Sequence, residues 1–136
     1  MSGSPDRPDY QTLAESLREL AAAVATDINV IHDHNNVAPA GISTVNTAVP
    51  PGETWIICTV QADVRVITAT GAAWVGVENM TTGIAIAQGS FPPGESFNFD
   101  LSKPVRLTAG QVLSSTIVNR SAVVESFHIF MTGFRI

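Results

Sequence analysis

The segment Thr54 to Val66, TWIICTVQADVRV, decides the fold. Ile56, Cys58, Val60, Ala62, Val64 and Val66 fall on one face, and Thr59, Gln61, Asp63 and Arg65 on the other. A period of two belongs to a half-buried β-strand and not to a helix. Cys58, between Ile56 and Val60, is expected to point into the core as a small hydrophobe. The run outlasts the usual strand of about 5–6 residues, so a bulge or bend is expected around Ala62–Asp63.

The same grammar extends in both directions. From Ile42 to Ile136, Val, Ile and Thr supply 32 of 95 residues, the enrichment of a β region. Phe97, Phe99 and Leu101 alternate against Ser96, Asn98 and Asp100. Further strands are expected over 42–48, 73–79, 84–89, 111–118 and 122–136. They are separated by Pro50-Pro51-Gly52, Thr70-Gly71, Thr81-Thr82-Gly83, Pro92-Pro93-Gly94 and Ala109-Gly110. Seven to nine short strands with such turn spacing predict a mostly β chain, an antiparallel β-sandwich or jelly roll over 42–136.

One unit repeats. Val49-Pro50-Pro51-Gly52-Glu53-Thr54-Trp55 is echoed by Phe91-Pro92-Pro93-Gly94-Glu95-Ser96-Phe97 and, more weakly, by Leu107-Thr108-Ala109-Gly110-Gln111-Val112-Leu113. Proline suits the second position of a type II turn and glycine the positive φ that follows. These are read as strand-entry turns; the rival reading makes Glu53 and Glu95 ligand contacts.

Ahead of the β region, Leu13, Leu17, Leu20, Val24, Ile28 and Ile31 recur every three or four residues among alanines. This predicts one N-terminal α-helix over 9–34, behind an arm at 1–8 and ended by Asn35, Asn36 and Pro39. Its apolar stripe, Leu13, Leu17, Leu20 and Val24, either lies on its own sandwich or packs against copies of itself. Asp27 interrupts the heptad pattern and argues against a long coiled coil.

Charge is sparse. The 136 residues carry 7 Lys+Arg and 12 Asp+Glu, a charged fraction of 14% where about 25% is usual. Residues 35–136 hold only eleven of the nineteen charges. So few ionic groups on a sheet-rich body predict that much of its surface faces other protein subunits. A net charge of -5 opposes nucleic-acid binding, and no stretch approaches the ~18 apolar residues of a membrane span.

No catalytic site, cofactor or metal site is expected. Cys58 is the single cysteine, so there is no internal disulfide and no multi-cysteine zinc site. His32-Asp33-His34 has the spacing by which alternate residues of a strand offer two imidazoles to one ion. Placed after a helix, it reads instead as a polar joint. Asp63, Glu78, Asp100 and Glu125 are scattered. Trp55, Trp74, Phe91 and Phe134 are read as core or interface anchors, with a sugar-stacking platform as the rival.

Pro51-Gly52-Glu53-Thr54-Trp55, Leu107-Thr108-Ala109-Gly110-Gln111-Val112-Leu113 and Gly133-Phe134-Arg135-Ile136 together resemble the turn-and-strand grammar of small β-sandwich virion proteins of tailed bacteriophages. The ending also resembles the last strand of trimeric jelly rolls of the C1q/TNF type. The resemblance implies a capsid decoration (cement) protein, a viral structural protein on the outer surface of the virion. As a homotrimer it would bind the major capsid protein and stabilise capsomer junctions. The expected contacts are Leu13, Leu17, Leu20 and Val24, with Phe127, Ile129, Phe130, Phe134 and Ile136 of the terminal strand. The alternative is a fibre or jelly-roll binding module that recognises a cell-surface glycan or receptor.

Overall fold

The repeated turns form as their residues demand. The amide of Glu53 bonds to the Pro50 carbonyl and that of Glu95 to the Pro92 carbonyl, each at 3.2 Å, and Gln111 bonds to Thr108 at 3.0 Å. Gly52, Gly94 and Gly110 take φ values of 79°, 78° and 83°, which closes the type II turn and starts the next strand. The computed structural model describes residues 26–64 and 72–136, with Leu13 and Glu15.

Eight strands follow one another: β1 (Thr26–Val37), β2 (Ile42–Ala48), β3 (Thr54–Val64), β4 (Ala73–Asn79), β5 (Ile84–Phe91), β6 (Phe97–Thr108), β7 (Val112–Asn119) and β8 (Glu125–Arg135). They build two four-stranded sheets, ordered β1-β8-β3-β6 and β2-β7-β4-β5, and every pairing is antiparallel. That order is a jelly roll. The first sheet contributes Ile57, Val60, Leu107, Phe127, Ile129 and Met131 to the core, and the second Val75, Val77, Leu113 and Ile117. Phe91 meets Phe127 edge-on across the sandwich, ring centroids 6.3 Å apart.

Several expectations are corrected. The helix over 9–34 does not reach its expected end, because Thr26 to His34 belong to β1, so the sandwich includes Thr26–Val37 and is not confined to 42–136. The step of three from Ile28 to Ile31 mimics a helix, but Val30, His32 and His34 turn inward while Ile31 is exposed. Pairing with β8 along Thr26–His34 sets this period of two. Thr26, Ile28, Val30 and Ile31 are β-branched and suit a strand locally. The arm at 1–8 and the rest of that helix lie outside the described residues, Leu13 and Glu15 excepted.

The irregularity in β3 lies at Cys58, between Ile57 and Thr59, and not at Ala62–Asp63. One extra residue there shifts the alternation. Trp55 and Ile57 are buried before it and Val60 and Ala62 after it, while Ile56 and Cys58 are half-buried. Cys58 is therefore not a core residue.

Candidate functional site

The seam between the edges β1 and β2 is polar. His32 and His34, buried at 1% and 0% exposure, project from alternate positions of β1. His32 Nδ1 lies 2.5 Å from Ser115 Oγ and its Nε2 2.7 Å from Thr47 Oγ1. His34 Nδ1 lies 2.9 Å from Ser43 Oγ and its Nε2 2.9 Å from the same Ser115 Oγ. Every ring nitrogen has a partner, as buried polar groups require, and the Ser115 hydroxyl joins both rings across the sandwich. Burial holds the pKa of His32 below its usual value. His34 is lowered to about 4, by burial first and by His32 beside it second, against the raising effects of Ser43 and Asp33. Both imidazoles are neutral at pH 7. The polar joint expected at His32-Asp33-His34 is instead a strand whose histidines tie the two sheets together. Among the described residues, no three His, Cys, Asp or Glu side chains are grouped to hold a metal ion.

The second feature lies on the outer face of the β2-β7-β4-β5 sheet, where Trp74, Gly76, Glu78, Ala85, Gln88 and Thr116 line a groove of about 180 Å³. Gly76 pairs with Gln88 on one side and Thr116 on the other. The benzo end of the Trp74 indole occupies the place a side chain at residue 76 would take, since a Cβ there would lie 2.4 Å from Cη2. Thr116 Oγ1 meets Thr44 Oγ1 at 3.2 Å. The Trp74 N–H, the Gln88 amide and the Glu78 carboxylate have no hydrogen-bond partner among the described residues.

The four aromatics named as a possible platform are not brought together. Trp55 and Phe91 are buried in the core, Trp74 is on one outer face, and Phe134 is half-buried on β8 facing away from Met131. The Glu53 carboxylate is taken up by the Trp55 N–H at 2.9 Å and by Arg135 at 3.5 Å.

The expected contact residues divide. Phe127 and Ile129 are fully buried; they fill the chain's own core and cannot also form a subunit interface. Phe130 and Phe134 are half-buried on the opposite face of β8, and Ile136 is exposed. Leu13 is exposed, while Leu17, Leu20 and Val24 lie outside the described residues. Sequence reasoning missed the edges. Ile31 on β1, Ile42 on β2, Ile84 on β5 and Phe99 on β6 are exposed large apolar residues, and these are the four edge strands of the two sheets. β2 (ISTVNTA) and β5 (IAIAQGSF) hold no charged residue and no proline, whereas β6 carries Asp100, Lys103, Pro104 and Arg106.

No protein-family model and no curated protein matches the sequence. Among solved structures, a protein of the Bacillus endospore appendages, described as disulfide-linked pili, is similar at 19% identity and TM-score 0.48, covering 82% of this chain and 86% of that one. PirA is similar at 18% identity and TM-score 0.47, covering 74% and 92%. The carbohydrate-binding module CBM36, solved with calcium and xylotriose, is similar at 12% identity and TM-score 0.36, covering 82% and 98%. All three scores lie below 0.5, and no function passes from them to this chain.

Proposed function

We propose that this protein is a non-enzymatic structural subunit that assembles through its sheet edges, as a capsid decoration protein of a tailed bacteriophage. The observation that carries the assembly reading is the bare edge. An edge strand offers a row of unpaired N–H and C=O groups, and proteins that stay apart blunt such edges with charge, proline or bulges. β6 is blunted in this way. β2 is not. β5 has no charge and no proline but carries one bulge at Ile86, where Val77 pairs with Ala87 and Glu78 with Ala85. Both strands present an exposed isoleucine, Ile42 at 71% and Ile84 at 61% exposure. Among the described residues no strand pairs with the outer side of either. Strand addition there satisfies the free backbone groups and covers the apolar side chains at once.

The decoration role adds a homotrimer on the outer surface of the head, with the major capsid protein as partner. It rests on the resemblance of residues 49–136 to small virion proteins and on the sparse charge of the sheet faces. The test has two arms. Light scattering on the purified protein is expected to give three times the chain mass, and the double variant I42K/I84K to shift it to a single chain. A single chain in the unaltered protein overturns the assembly reading. Co-sedimentation with heads assembled without the protein is expected to be saturable, and its absence overturns the decoration role.

A further inference from the structure

We propose that the Trp74 groove is a binding site for a neutral hexopyranose residue of a glycan. This goes beyond the assembly reading and does not depend on it: the groove lies on the outer face of the sheet, and it includes Ala85 and Gln88 of the edge strand β5 without using that strand's free backbone groups.

The chemistry of a sugar is two-sided. One face of a pyranose presents C–H groups that pack on an aromatic ring, and the rim presents hydroxyls that each donate and accept. The groove meets both demands. The indole of Trp74 lies on an outer sheet face instead of in the core where Trp55 is buried. It can lie there because position 76 has no side chain; a Cβ would come within 2.4 Å of Cη2 and within 2.9 Å of Cζ3. Gly76 is not at a positive φ, so its role is space for the ring and not backbone freedom. Around the indole stand an amide (Gln88), a carboxylate (Glu78) and a hydroxyl (Thr116), on the three strands β5, β4 and β7. The amide, the carboxylate and the Trp74 N–H have no protein partner among the described residues, so their hydrogen-bonding capacity is free for a ligand. At about 180 Å³ the groove is smaller than the roughly 300–1,000 Å³ of sites for drug-sized ligands, a size that suits one sugar residue rather than a larger ligand.

The alternatives fit less well. A nucleobase would also stack on the indole, but its phosphate needs cations, and the lining contains no Lys or Arg on a chain of net charge -5. Sialic acids, uronates and sulfated sugars fail for the same reason, since Glu78 would face them with its own negative charge. An apolar peptide anchor would leave the Gln88 amide and the Glu78 carboxylate covered and unpaired, at a cost.

The test uses the intact protein against gluco-, galacto- and manno-configured neutral oligosaccharides and against sialylated and uronate-containing ones, on a glycan array and then by calorimetric titration. Binding of a neutral oligosaccharide is expected. W74A and G76V should each weaken it by about tenfold or more, with the oligomeric mass unchanged. Q88A repeats the test at an exposed position without disturbing the indole. The proposal is overturned if no neutral oligosaccharide binds at millimolar concentration, if only acidic ones bind, or if binding survives W74A and Q88A unweakened. Loss of the oligomer in I42K/I84K with sugar binding intact leaves this proposal standing and bears on assembly alone.

Discussion

A side chain at Gly133 would meet backbone, not solvent: a Cβ there would lie 1.8 Å from the Ile56 carbonyl oxygen and 3.1 Å from the Ile57 Cα. Gly133 pairs with Ile57 beside the Cys58 bulge, where the extra residue brings β3 and β8 unusually close. G133A is expected to destabilise the protein by about 1–3 kcal/mol or more, read as a lower urea midpoint. Gly52 is the opposite case. Nothing lies within 4 Å of a Cβ there, but φ is +79°, so G52A should cost about 1–2 kcal/mol through backbone strain alone. An unchanged urea midpoint in G133A would contradict the close approach at Gly133, and one in G52A the strain at Gly52. The sequence marks Gly52 by its two prolines. Nothing local marks Gly133, because the atom it makes room for belongs to a strand 77 positions earlier in the chain.

At the scale of elements, β1 is the strand most open to pH. It pairs with β8 on one side only, and His32 and His34 connect it to the opposite sheet through Ser43, Thr47 and Ser115. Those partners carry no charge. Asp33 points to the other face, where it meets His128 at 2.7 Å, and Glu125 is buried near the end of the pairing, opposite Val37. With the folded pKa of His34 lowered to about 4 from 6.5, the unfolded chain binds the extra proton between those values. Stability is therefore full above about pH 6.5 and falls as the pH drops towards 4, by on the order of 3 kcal/mol from this group. Urea unfolding at pH 7, 5 and 4 should show that loss, and H34Q should make it smaller than in the unaltered protein, with the His32 contribution remaining. Parallel profiles for the two proteins would show that His34 does not carry the effect. The local pattern points to a helix here, because Ile28 and Ile31 satisfy a helical step, and only the ladder to β8 shows that Ile31 faces out.

At the scale of the whole molecule, the prediction concerns how copies hold together. Contacts made by backbone pairing and apolar side chains are little affected by salt screening, unlike contacts between charges. The oligomeric mass is expected to be the same at low and high salt, and dissociation at high salt would argue for an ionic interface. Ile31 pairs with Phe130 across β1 and β8, and Ile56 with Phe134 across β3 and β8, giving the outer face of that sheet an apolar strip. F134D should shift the mass towards a single chain if that strip is also covered by a neighbour. An unchanged mass would confine assembly to the edges of the other sheet.

By itself the sequence determined the class of fold, because alternation and the proline–glycine turns are local: β2 at Ile42–Ala48 and β4 at Ala73–Asn79 coincide with the runs read from residues alone. It also made the scarcity of charge plain. Only the tertiary structure decided that Thr26–His34 is a strand, that Cys58 sits at a bulge, that Phe127 and Ile129 fill the core, and that Trp74 rests over Gly76 in an open groove. Each of these depends on what lies across a ladder or across the sandwich. A period in the chain shows that a residue has a partner face, while the partner itself comes from strands distant in sequence, through long-range pairing that no local pattern contains.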